Sequence, residues 1–441
     1  MSAVLELDSV LQRLEAFGVR LGLETTRRLL KALGDPQKDL RPVLVAGTNG
    51  KGSTAALLAS MVRAGGYRTG LYTSPHLESV EERLRIDGRA ISNQSLTSTM
   101  TEVVAAAENR LGYLPTYFEA LTASAFLWFA RESVDLAVFE VGLGGRLDAT
   151  NGCEPELSLI TEIGLEHQRY LGKTLASIGR EKAGILRAQR PAIAWVERQE
   201  ARQAIQEVAD QVAARLTWGA AESSIESCEE LGWQGQRVGL QTSTGIHDLF
   251  LPLLGRHQLA NLALATLAAE ELARRGMGGL DNEAIAKGVA TTRWPGRLEW
   301  VHPPDNAKPV LLDVAHNPDG AEMLRRSLDG IQGRRILLFG ALADKEVDRV
   351  LPGLAKKASK VVLTSPASPR AMDLAALAAM VPADDKIILE ADRSAALTAA
   401  LEAPGDFVVV CGSVYLVGDV RMELRRRFGT PYPAVDNLHA G

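Results

Sequence analysis

The stretch that most constrains the fold is residues 43–54, which read Val-Leu-Val-Ala-Gly-Thr-Asn-Gly-Lys-Gly-Ser-Thr. A β-branched apolar run passes into a Gly-rich turn and then into an Ala/Leu segment. This order predicts a strand, a loop and a helix N-terminus. The backbone N–H groups and the helix dipole of such a turn favour an anion. Lys51 would supply charge for a polyphosphate, and Ser53 or Thr54 a hydroxyl for its Mg²⁺.

The turn is a variant of the usual phosphate loop. Val45 stands where that pattern has its first Gly, and Gly52 separates Lys51 from Ser53. The structural alternative is a Gly-rich turn that binds nothing. The phosphate interpretation is favoured because Lys and two hydroxyls follow the glycines directly.

Composition limits the possible partners and the compartment. A chain of 441 residues suits two to three domains, and its net charge of -5 argues against nucleic acid or an anionic membrane as the main partner. The three cysteines lie far apart, which makes disulfides and thiolate zinc poor candidates. The N-terminus has no apolar signal region, and no apolar run is as long as a membrane span. We therefore expect a cytoplasmic protein.

Strands alternate with helices along the first part of the chain. Strands are predicted at 68–73, 136–141 and 157–163, and helices within 5–35 and at 53–65, 95–111 and 118–132. A polar, β-rich patch is expected at 222–250. This alternation predicts a parallel α/β sheet, whose ligands bind at the carboxyl ends of the strands. Ser74, Glu140 and His167 fall at such ends.

A Pro-Gly pair within Arg293-Trp294-Pro295-Gly296-Arg297 marks a domain boundary. Beyond it, strands are expected near 310–313, 336–340, 360–364, 386–389 and 407–411, with helices between them. The fold class is therefore α/β. A P-loop-containing parallel-sheet ATPase domain spans residues 1–294, and a smaller Rossmann-like, doubly wound domain spans 295–441.

Several single residues could carry chemistry, and each has a structural alternative. Glu140 is the natural Mg²⁺ carboxylate, although an acid after a strand can simply cap a turn. His167 is a less usual Mg²⁺ ligand, because lone histidines are more often structural. Lys182 precedes an apolar Ala-Gly-Ile, where a helix-face salt bridge is the alternative. Asp313 and His316 suit a nucleotide or an acid/base pair, unless Asp313 only caps the next helix.

Asp344-Lys345 follows the next strand of the second domain in the same way. The pair could contact a polyphosphate, or it could be a solvated turn.

Together these segments resemble one family closely, the folylpolyglutamate synthase/dihydrofolate synthase branch of the Mur ligase superfamily. The resemblance rests on Gly47-Thr48-Asn49-Gly50-Lys51-Gly52-Ser53-Thr54, Thr73-Ser74-Pro75-His76-Leu77, Glu140-Val141-Gly142-Leu143-Gly144-Gly145-Arg146-Leu147-Asp148, Ile163-Gly164-Leu165-Glu166-His167, Arg180-Glu181-Lys182-Ala183-Gly184-Ile185, His257-Gln258-Leu259-Ala260-Asn261, Pro295-Gly296-Arg297-Leu298-Glu299, Asp313-Val314-Ala315-His316-Asn317-Pro318 and Gly412-Ser413. Their order and spacing hold from about residue 17 to 421.

The resemblance implies roles for individual residues. ATP would be bound by Asn49, Gly50, Lys51, Gly52, Ser53, Thr54, Asn261, Arg297 and Asp313. Mg²⁺ would be bound by Ser74, Glu140 and His167. Lys182 corresponds to a lysine carried as a carbamate. Lys51, Lys182, Asp148 and His316 would serve catalysis, and the folate substrate would contact Gly18, Leu21, Phe118, Leu147, Asp148 and Ala149. Glu166 stands where the family usually has Asp, and we assign it no role.

The implied activity is that of an ATP-dependent amide ligase, with a chemically activated carboxylate as the acyl donor. L-Glutamate would be joined to dihydropteroate, to a reduced folate, or to both, through an acyl phosphate. We expect a monomer that binds only small molecules, with no nucleic-acid or membrane partner.

Three alternatives to this activity stay open. One is another amino-acid ligase of the superfamily, although only 46 residues precede Gly47, too few for the extra domain of the cell-wall ligases. The others are a P-loop ATPase switch and a regulatory nucleotide-binding module. The ATPase switch does not account for Asp313 and His316, and the regulatory module leaves the metal constellation without a use.

Overall fold

The central strand explains how the fold is layered. In the computed structural model, which describes residues 7–15, 18, 20–304, 307–382 and 386–429, β1 (Pro42–Ala46) is buried along its whole length. Leu44 and Ala46 pack into one hydrophobic cluster, and Val43 and Val45 into another. Because successive side chains of a strand point to opposite faces, this apolar run requires a sheet that is covered on both sides.

Within the described part of the chain, β1 belongs to an eight-stranded sheet with the order β4-β3-β2-β5-β1-β6-β7-β8. Its other members are β2 (Thr69–Tyr72), β3 (Leu84–Ile86), β4 (Arg89–Ala90), β5 (Leu136–Glu140), β6 (Leu157–Ile160), β7 (Pro191–Ala194) and β8 (Arg215–Trp218). Along this spatial order, all neighbouring strands from β2 through β5, β1, β6 and β7 to β8 pair in parallel. At one edge, β3 pairs antiparallel with β2, and β4 pairs antiparallel with β3.

Helices cover one face of this sheet. They are α1 (Leu7–Glu15), α2 (Glu24–Ala32), α4 (Asn93–Leu111), α5 (Tyr117–Arg131), α7 (Leu175–Ala183) and α8 (Gln199–Val212). The short α6 (Gln168–Leu171) precedes α7, and α9 (Gly219–Glu222) follows β8.

The other face carries helices and a second, smaller sheet. The helices are α3 (Lys51–Ala64), α10 (His257–Arg274) and α11 (Asn282–Thr291), and the antiparallel strands are β9 (Ser223–Glu230), β10 (Gln236–Thr242) and β11 (Gly245–Leu251). α3 and α10 lie side by side, so the helix that leaves the phosphate turn is itself buried.

A second α/β unit begins after α11. Its strands, among the described residues, are β12 (Glu299–Val301), β13 (Val310–Leu312), β14 (Arg335–Phe339), β15 (Ala358–Leu363), β16 (Ile387–Leu389) and β17 (Phe407–Cys411), in the order β12-β13-β17-β14-β15-β16. All neighbours are parallel except β12 and β13. One face packs against α12 (Pro318–Asp329), α13 (Val347–Ala355) and α14 (Leu374–Ala378), and the other against α15 (Arg393–Glu402) and α16 (Val414–Phe428).

The predicted α/β class and its mainly parallel sheets are confirmed. Each predicted strand lies within two residues of an observed one at its start, and the polar patch forms β9, β10 and β11. The sequence reading gave no strands for β3, β4, β7, β8 and β12, which have two to four residues each. Residues 1–6 and 430–441 of the two predicted domains lie outside the described residues.

The two units also touch directly, away from the linker. A Cβ built on Gly418 of α16 would lie 1.9 Å from the carbonyl oxygen of Leu77. Beside this contact, Arg421 pairs with Glu78 and, at 3.0 Å, with Glu299, and Arg425 donates to Glu78 at 2.9 Å. The Arg421 and Glu78 side chains are only 5% and 9% exposed. A nearly buried ion-pair network therefore joins α16 to the loop that follows Ser74.

Along the residues described, no helix combines the length and the apolar character needed to cross a bilayer.

Two glycines inside helices predict opposite effects of the same substitution. At Gly288 of α11, an added Cβ would lie 2.3 Å from the Cα of Met61 in α3, so Gly288→Ala should lower the free energy of unfolding by about 1–3 kcal/mol. At exposed Gly353 of α13 nothing lies within 4 Å, so Gly353→Ala should raise it by about 0.5–1 kcal/mol. Urea unfolding of both variants checks the pair. Equal effects would contradict the α3–α11 contact.

Candidate active site

The turn between β1 and α3 leaves no room for side chains at its glycines. Gly47 and Gly50 have φ angles of +147° and +91°. A Cβ on Gly47 would lie 1.8 Å from the Oγ1 of Thr161, and one on Gly50 would lie 2.2 Å from the Oδ1 of Asn261. Both the backbone conformation and the close neighbours therefore require glycine here. Gly50 caps α3, so the N-terminus of that helix opens at the turn.

Two lysines donate to carbonyl groups of this turn. Lys51 Nζ donates to the Thr48 carbonyl at 3.0 Å, and Lys182 Nζ, from α7, donates to the Gly47 carbonyl at 2.5 Å. Burial, assisted by the charge of Lys51, lowers the pKa of Lys182 to about 7, although Glu166 and Asp148 act in the opposite direction. Near neutral pH the Lys182 amine is therefore neutral in a large fraction of molecules.

The proposed metal ligands are only partly brought together. The backbone N–H of Ser74 donates to Oε2 of Glu140 at 3.1 Å, which places the Ser74 loop against the end of β5. Burial raises the pKa of Glu140, while Lys51 and the Ser74 N–H oppose the shift. His167 is the N-cap residue of α6 and has φ +51°. Its Nε2 lies 3.7 Å from Oε1 of Glu166. Burial lowers the pKa of His167 to about 4, so its ring is neutral at pH 7, as a metal ligand must be.

Glu166 is a site residue that the sequence reading left without a role. Its Oε1 lies 3.5 Å from His316 Nε2 and 3.8 Å from Lys345 Nζ, both in the second unit. Burial alone would raise the pKa of Glu166, but the contact with His316 and the charge of Lys51 outweigh it and hold the pKa well below its usual range. Adjacency to His167 was the only sequence signal. The sequence does not predict that His316 and Lys345 of the second unit lie beside Glu166.

The predicted nucleotide residues lie around the same turn. Thr54 Oγ1 donates to Asn261 Oδ1 at 3.4 Å, and Asn261 Nδ2 donates to Gln258 at 2.8 Å, so the start of α10 is fixed against α3. Asn49 accepts at 3.2 Å from Asn317 of the second unit. Ser53 is buried.

Arg297 and Asp313 form the junction of the linker with β13. Asp313 accepts from the N–H groups of Leu298 at 3.0 Å and Ala315 at 2.9 Å, so it does more than cap a helix. Asn317, not Asp313, caps α12. Burial lowers the pKa of Arg297, while Asp313 and Glu140 oppose the shift, which puts the guanidinium within range of both carboxylates.

A cavity of about 880 Å³ lies between the two units. Asn49, Gly50 and Asn261 line it from the first unit, and Leu298 and Trp300 from the second. Its volume falls in the range of sites for drug-sized ligands. The cavity therefore places the anion-favouring turn at the wall of a cleft large enough for a nucleotide.

The predicted folate residues form a second group beside β5. Asp148 is buried, and its carboxylate accepts from the Leu143 N–H at 2.8 Å and from Thr150 Oγ1 at 2.6 Å, so it organises its own loop. Ala149 is also buried, whereas Leu21 and Gly18 are exposed. The backbone N–H of Gly22 donates to the Leu147 carbonyl at 3.4 Å. A Cβ built on Gly142 would lie only 2.4 Å from the Phe118 ring, so this ring packs directly against Gly142.

The sequence predicts only a domain boundary around Trp294, but this residue also contacts the phosphate turn. A Cβ on Gly52 would lie 2.7 Å from its ring, and the Cζ of Arg85 lies over the indole of Trp294, 6.0 Å from the ring centroid. The linker is therefore packed against α3 immediately after Lys51. A Trp next to a Pro-Gly pair was the available signal.

Comparison with known proteins agrees with this geometry. Residues 45–269 match the Mur ligase middle domain, and residues 296–414 match the Mur ligase glutamate ligase domain. The chain is 36% identical over 423 residues to the dihydrofolate synthase/folylpolyglutamate synthase of Bacillus subtilis, covering 93% of this chain and 96% of that protein. The chain belongs to the folylpolyglutamate synthase/dihydrofolate synthase family of Mur ligases.

Solved structures of this family have the same fold. Mycobacterium tuberculosis folylpolyglutamate synthase complexed with ADP matches with a TM-score of 0.83 at 32% identity, covering 95% of this chain and 99% of that one. Escherichia coli FolC in complex with DHPP and ADP matches with a TM-score of 0.82 at 32% identity, covering 95% and 97%. The family resemblance stated from the motifs is confirmed over nearly the whole chain.

The lowered pKa of Lys182 predicts a pH-dependent stability. Its folded pKa of about 7 lies below its ordinary value of 10.5, so between these values the unfolded chain binds more protons than the folded one. The free energy of unfolding should therefore rise with pH in this window. In CO₂-free buffer, Lys182→Met should be most stabilised relative to wild type at pH 7 and below, and the difference should shrink toward pH 10.

Melting temperatures at several pH values test this expectation. Lys287→Met, at an exposed position of α11, controls for the loss of a lysine charge. A Lys182→Met difference that stays constant from pH 7 to pH 10 would contradict a buried amine with a lowered pKa.

Proposed function

We propose that the protein is an ATP-dependent ligase that joins L-glutamate to dihydropteroate, to the γ-carboxyl of a reduced folate, or to both. The observation that carries this proposal is the ordered match to the Mur ligase middle and glutamate ligase domains, with the phosphate turn at the start of the first and a cavity between them. Relatives named for these activities cover the chain nearly end to end.

The ATP phosphates would lie on the turn, against Asn49, Gly50, Lys51, Gly52, Ser53 and Thr54. Asn261 would contact the rest of the nucleotide, because it lines the cavity beside Gly50. Arg297 and Asp313 would close the nucleotide site from the linker. Since both units line the cavity, ATP bound there would contact both.

The residues near the turn fit Mg²⁺. Ser74 and Glu140 offer a hydroxyl and a carboxylate oxygen beside Lys51, and neutral His167 offers a ring nitrogen, which leaves the remaining positions to phosphate and water. When bound, the ion would neutralise charge on the transferred phosphoryl group.

Ligation requires a carboxylate to become a better acyl donor. The acceptor carboxylate oxygen attacks the γ-phosphorus of ATP, the bond to ADP breaks, and an acyl phosphate forms. The glutamate amine then forms the C–N bond, phosphate leaves with its oxygen, and the amine loses a proton. Lys51 would stabilise the negative charge of the transferred group, and the buried cleft would keep water from the acyl phosphate.

His316 and Asp148 would assist this chemistry. His316 Nδ1 lies 2.8 Å from the Val314 carbonyl, and its Nε2 lies 3.5 Å from Oε1 of Glu166, so both nitrogens of the ring are held. Asp148 would shape the folate pocket through its loop. The other residues proposed for this pocket are Phe118, Leu147 and Ala149 and, at the protein surface, Gly18 and Leu21.

Lys182 would act as a carbamate. A neutral amine attacks CO₂, an N–C bond forms and one proton leaves to solvent, which turns the neutral amine into an anion. The lowered pKa of Lys182, caused mainly by burial, supplies the neutral amine that this addition needs.

The same proposal covers partners and location. Its substrates are ATP, L-glutamate and a pterin-bearing acid, and we infer a cytoplasmic monomer that acts on no nucleic acid or membrane. A P-loop ATPase switch is the weaker candidate, because it leaves the matched glutamate ligase domain without a use.

The function is tested by ADP release with Mg-ATP and L-glutamate, with dihydropteroate or tetrahydrofolate in separate reactions. We expect glutamate-dependent ADP release with at least one acceptor, and Lys51→Ala should reduce it to background. Release with both acceptors would establish two activities. ATP hydrolysis that needs neither glutamate nor acceptor would contradict the ligase and favour the switch.

Carbamylation of Lys182 predicts chemical rescue. Lys182→Ala should lose most activity, and added formate or acetate should restore part of it by supplying the missing anion. Lys51→Ala, which lacks a cation rather than an anion, is the control that these acids should not rescue. Full activity of Lys182→Ala without additives would reduce Lys182 to a structural residue.

A further inference from the structure

We propose that Glu166 is a positioning residue that fixes His316 and Lys345 of the second unit over the phosphate turn of the first. This inference concerns the site of the ligase proposed above. No role for Glu166 was read from the sequence, and its place in the fold is the basis for the proposal.

One oxygen of Glu166 is the meeting point of three nitrogens. Oε1 lies 3.5 Å from His316 Nε2, 3.7 Å from His167 Nε2 and 3.8 Å from Lys345 Nζ. The Glu166 side chain is 14% exposed and that of Lys345 is 19% exposed. Charges that are largely removed from water interact more strongly than surface pairs of the same separation.

The partners of Glu166 come from both units. Glu166 and His167 follow β6, whereas His316 follows β13 and Lys345 follows β14. His316 is already held on its other side by the Val314 carbonyl at 2.8 Å. Glu166 is thus the contact that ties this ring to the first unit. Lys345, for which the sequence predicts either a phosphate contact or a solvated turn, has a largely buried side chain beside Glu166.

The length of the Glu166 side chain sets how far its charge reaches into the second unit. Its carboxylate already stands at 3.5–3.8 Å from its partners, just beyond ideal hydrogen-bond distance. A shorter aspartate would move the charge back toward its own backbone and farther from the second unit. The charge and the reach of Glu166 can therefore be tested separately.

A second contact between the units offers a matched control. Arg198 pairs with Asp319 at 2.9 Å across the same interface, but their side chains are 43% and 31% exposed. Asp319 also lies beside Gly164, two residues before Glu166, so the control is Asp319→Asn, which keeps the shape of the side chain and removes only its charge.

The experiment compares Glu166→Gln, Glu166→Asp, Asp319→Asn, Lys345→Met and the Glu166→Gln/Lys345→Met double variant. Misplacing His316 and Lys345 should lower kcat about tenfold to a hundredfold in both Glu166 variants. The Kd for ATP should change less than kcat, because the phosphate turn and Asn261, which line the cavity from the first unit, are unchanged in these variants. Asp319→Asn should keep kcat within about twofold of wild type.

The double variant tests coupling. If Lys345 acts through Glu166, the double variant should be about as slow as the slower single variant. If the fold losses of kcat in the two single variants multiply in the double variant, the proposal is wrong. A Glu166→Gln enzyme with wild-type kcat would also overturn it. Melting temperatures identify a folding defect. If Glu166→Gln is unstable, Glu166→Asp, which keeps the charge, decides the question.

Hydrogen–deuterium exchange gives a readout that needs no turnover. Amides in peptides that cover residues 313–318 and 341–346 should exchange faster in Glu166→Gln than in wild type, and at the wild-type rate in Asp319→Asn. Unchanged exchange in Glu166→Gln would refute the positioning role. Wild-type protein without glutamate-dependent ADP release would refute the ligase alone, since exchange still decides the role of Glu166.

Discussion

The turn between β1 and α3 is built on glycines that lie in contact with three different parts of the chain. Gly47 meets Thr161 after β6, Gly50 meets Asn261 of α10, and Gly52 meets Trp294 of the linker. Each contact is too close for a Cβ. Neighbouring segments therefore shape the turn together with its own φ angles. The cavity between the units depends on this packing, because Gly50 and Asn261 form part of its wall.

The charges around the turn follow from the same packing. Lys51 and Lys182 both donate to carbonyl groups of the turn, and burial of Lys182, assisted by the charge of Lys51, lowers the pKa of Lys182 to about 7. Glu140 and Glu166 respond in opposite directions. Burial dominates for Glu140, whereas the cations around Glu166 keep it ionised. One small region thus contains a neutralised base, a carboxylate with a raised pKa and a strongly stabilised anion.

The sequence predicted features that depend on local pattern. Buried runs such as β1 and β17 are apolar throughout, β5 is apolar up to Glu140 at its end, and the Gly-Lys turn has a conformation that only glycine adopts easily. Short edge strands such as β4 and β8 have no such pattern, because one neighbour and partial exposure suffice for them. The sequence also does not predict the contacts between the two units. Glu166 and Lys345 are far apart in sequence, and only the docking of two sheets brings them together.

The contact between α16 and the loop after Ser74 has a mechanical consequence. Leu77 lies against Gly418 without room for a methyl group, and Arg421 pins Glu78 beside it. A rotation of one unit against the other that keeps this contact intact would move atoms in proportion to their distance from it. Ser74 lies three residues from Leu77 in the same loop. Such a rotation would widen the cavity between the units while the Ser74–Glu140 contact changes little.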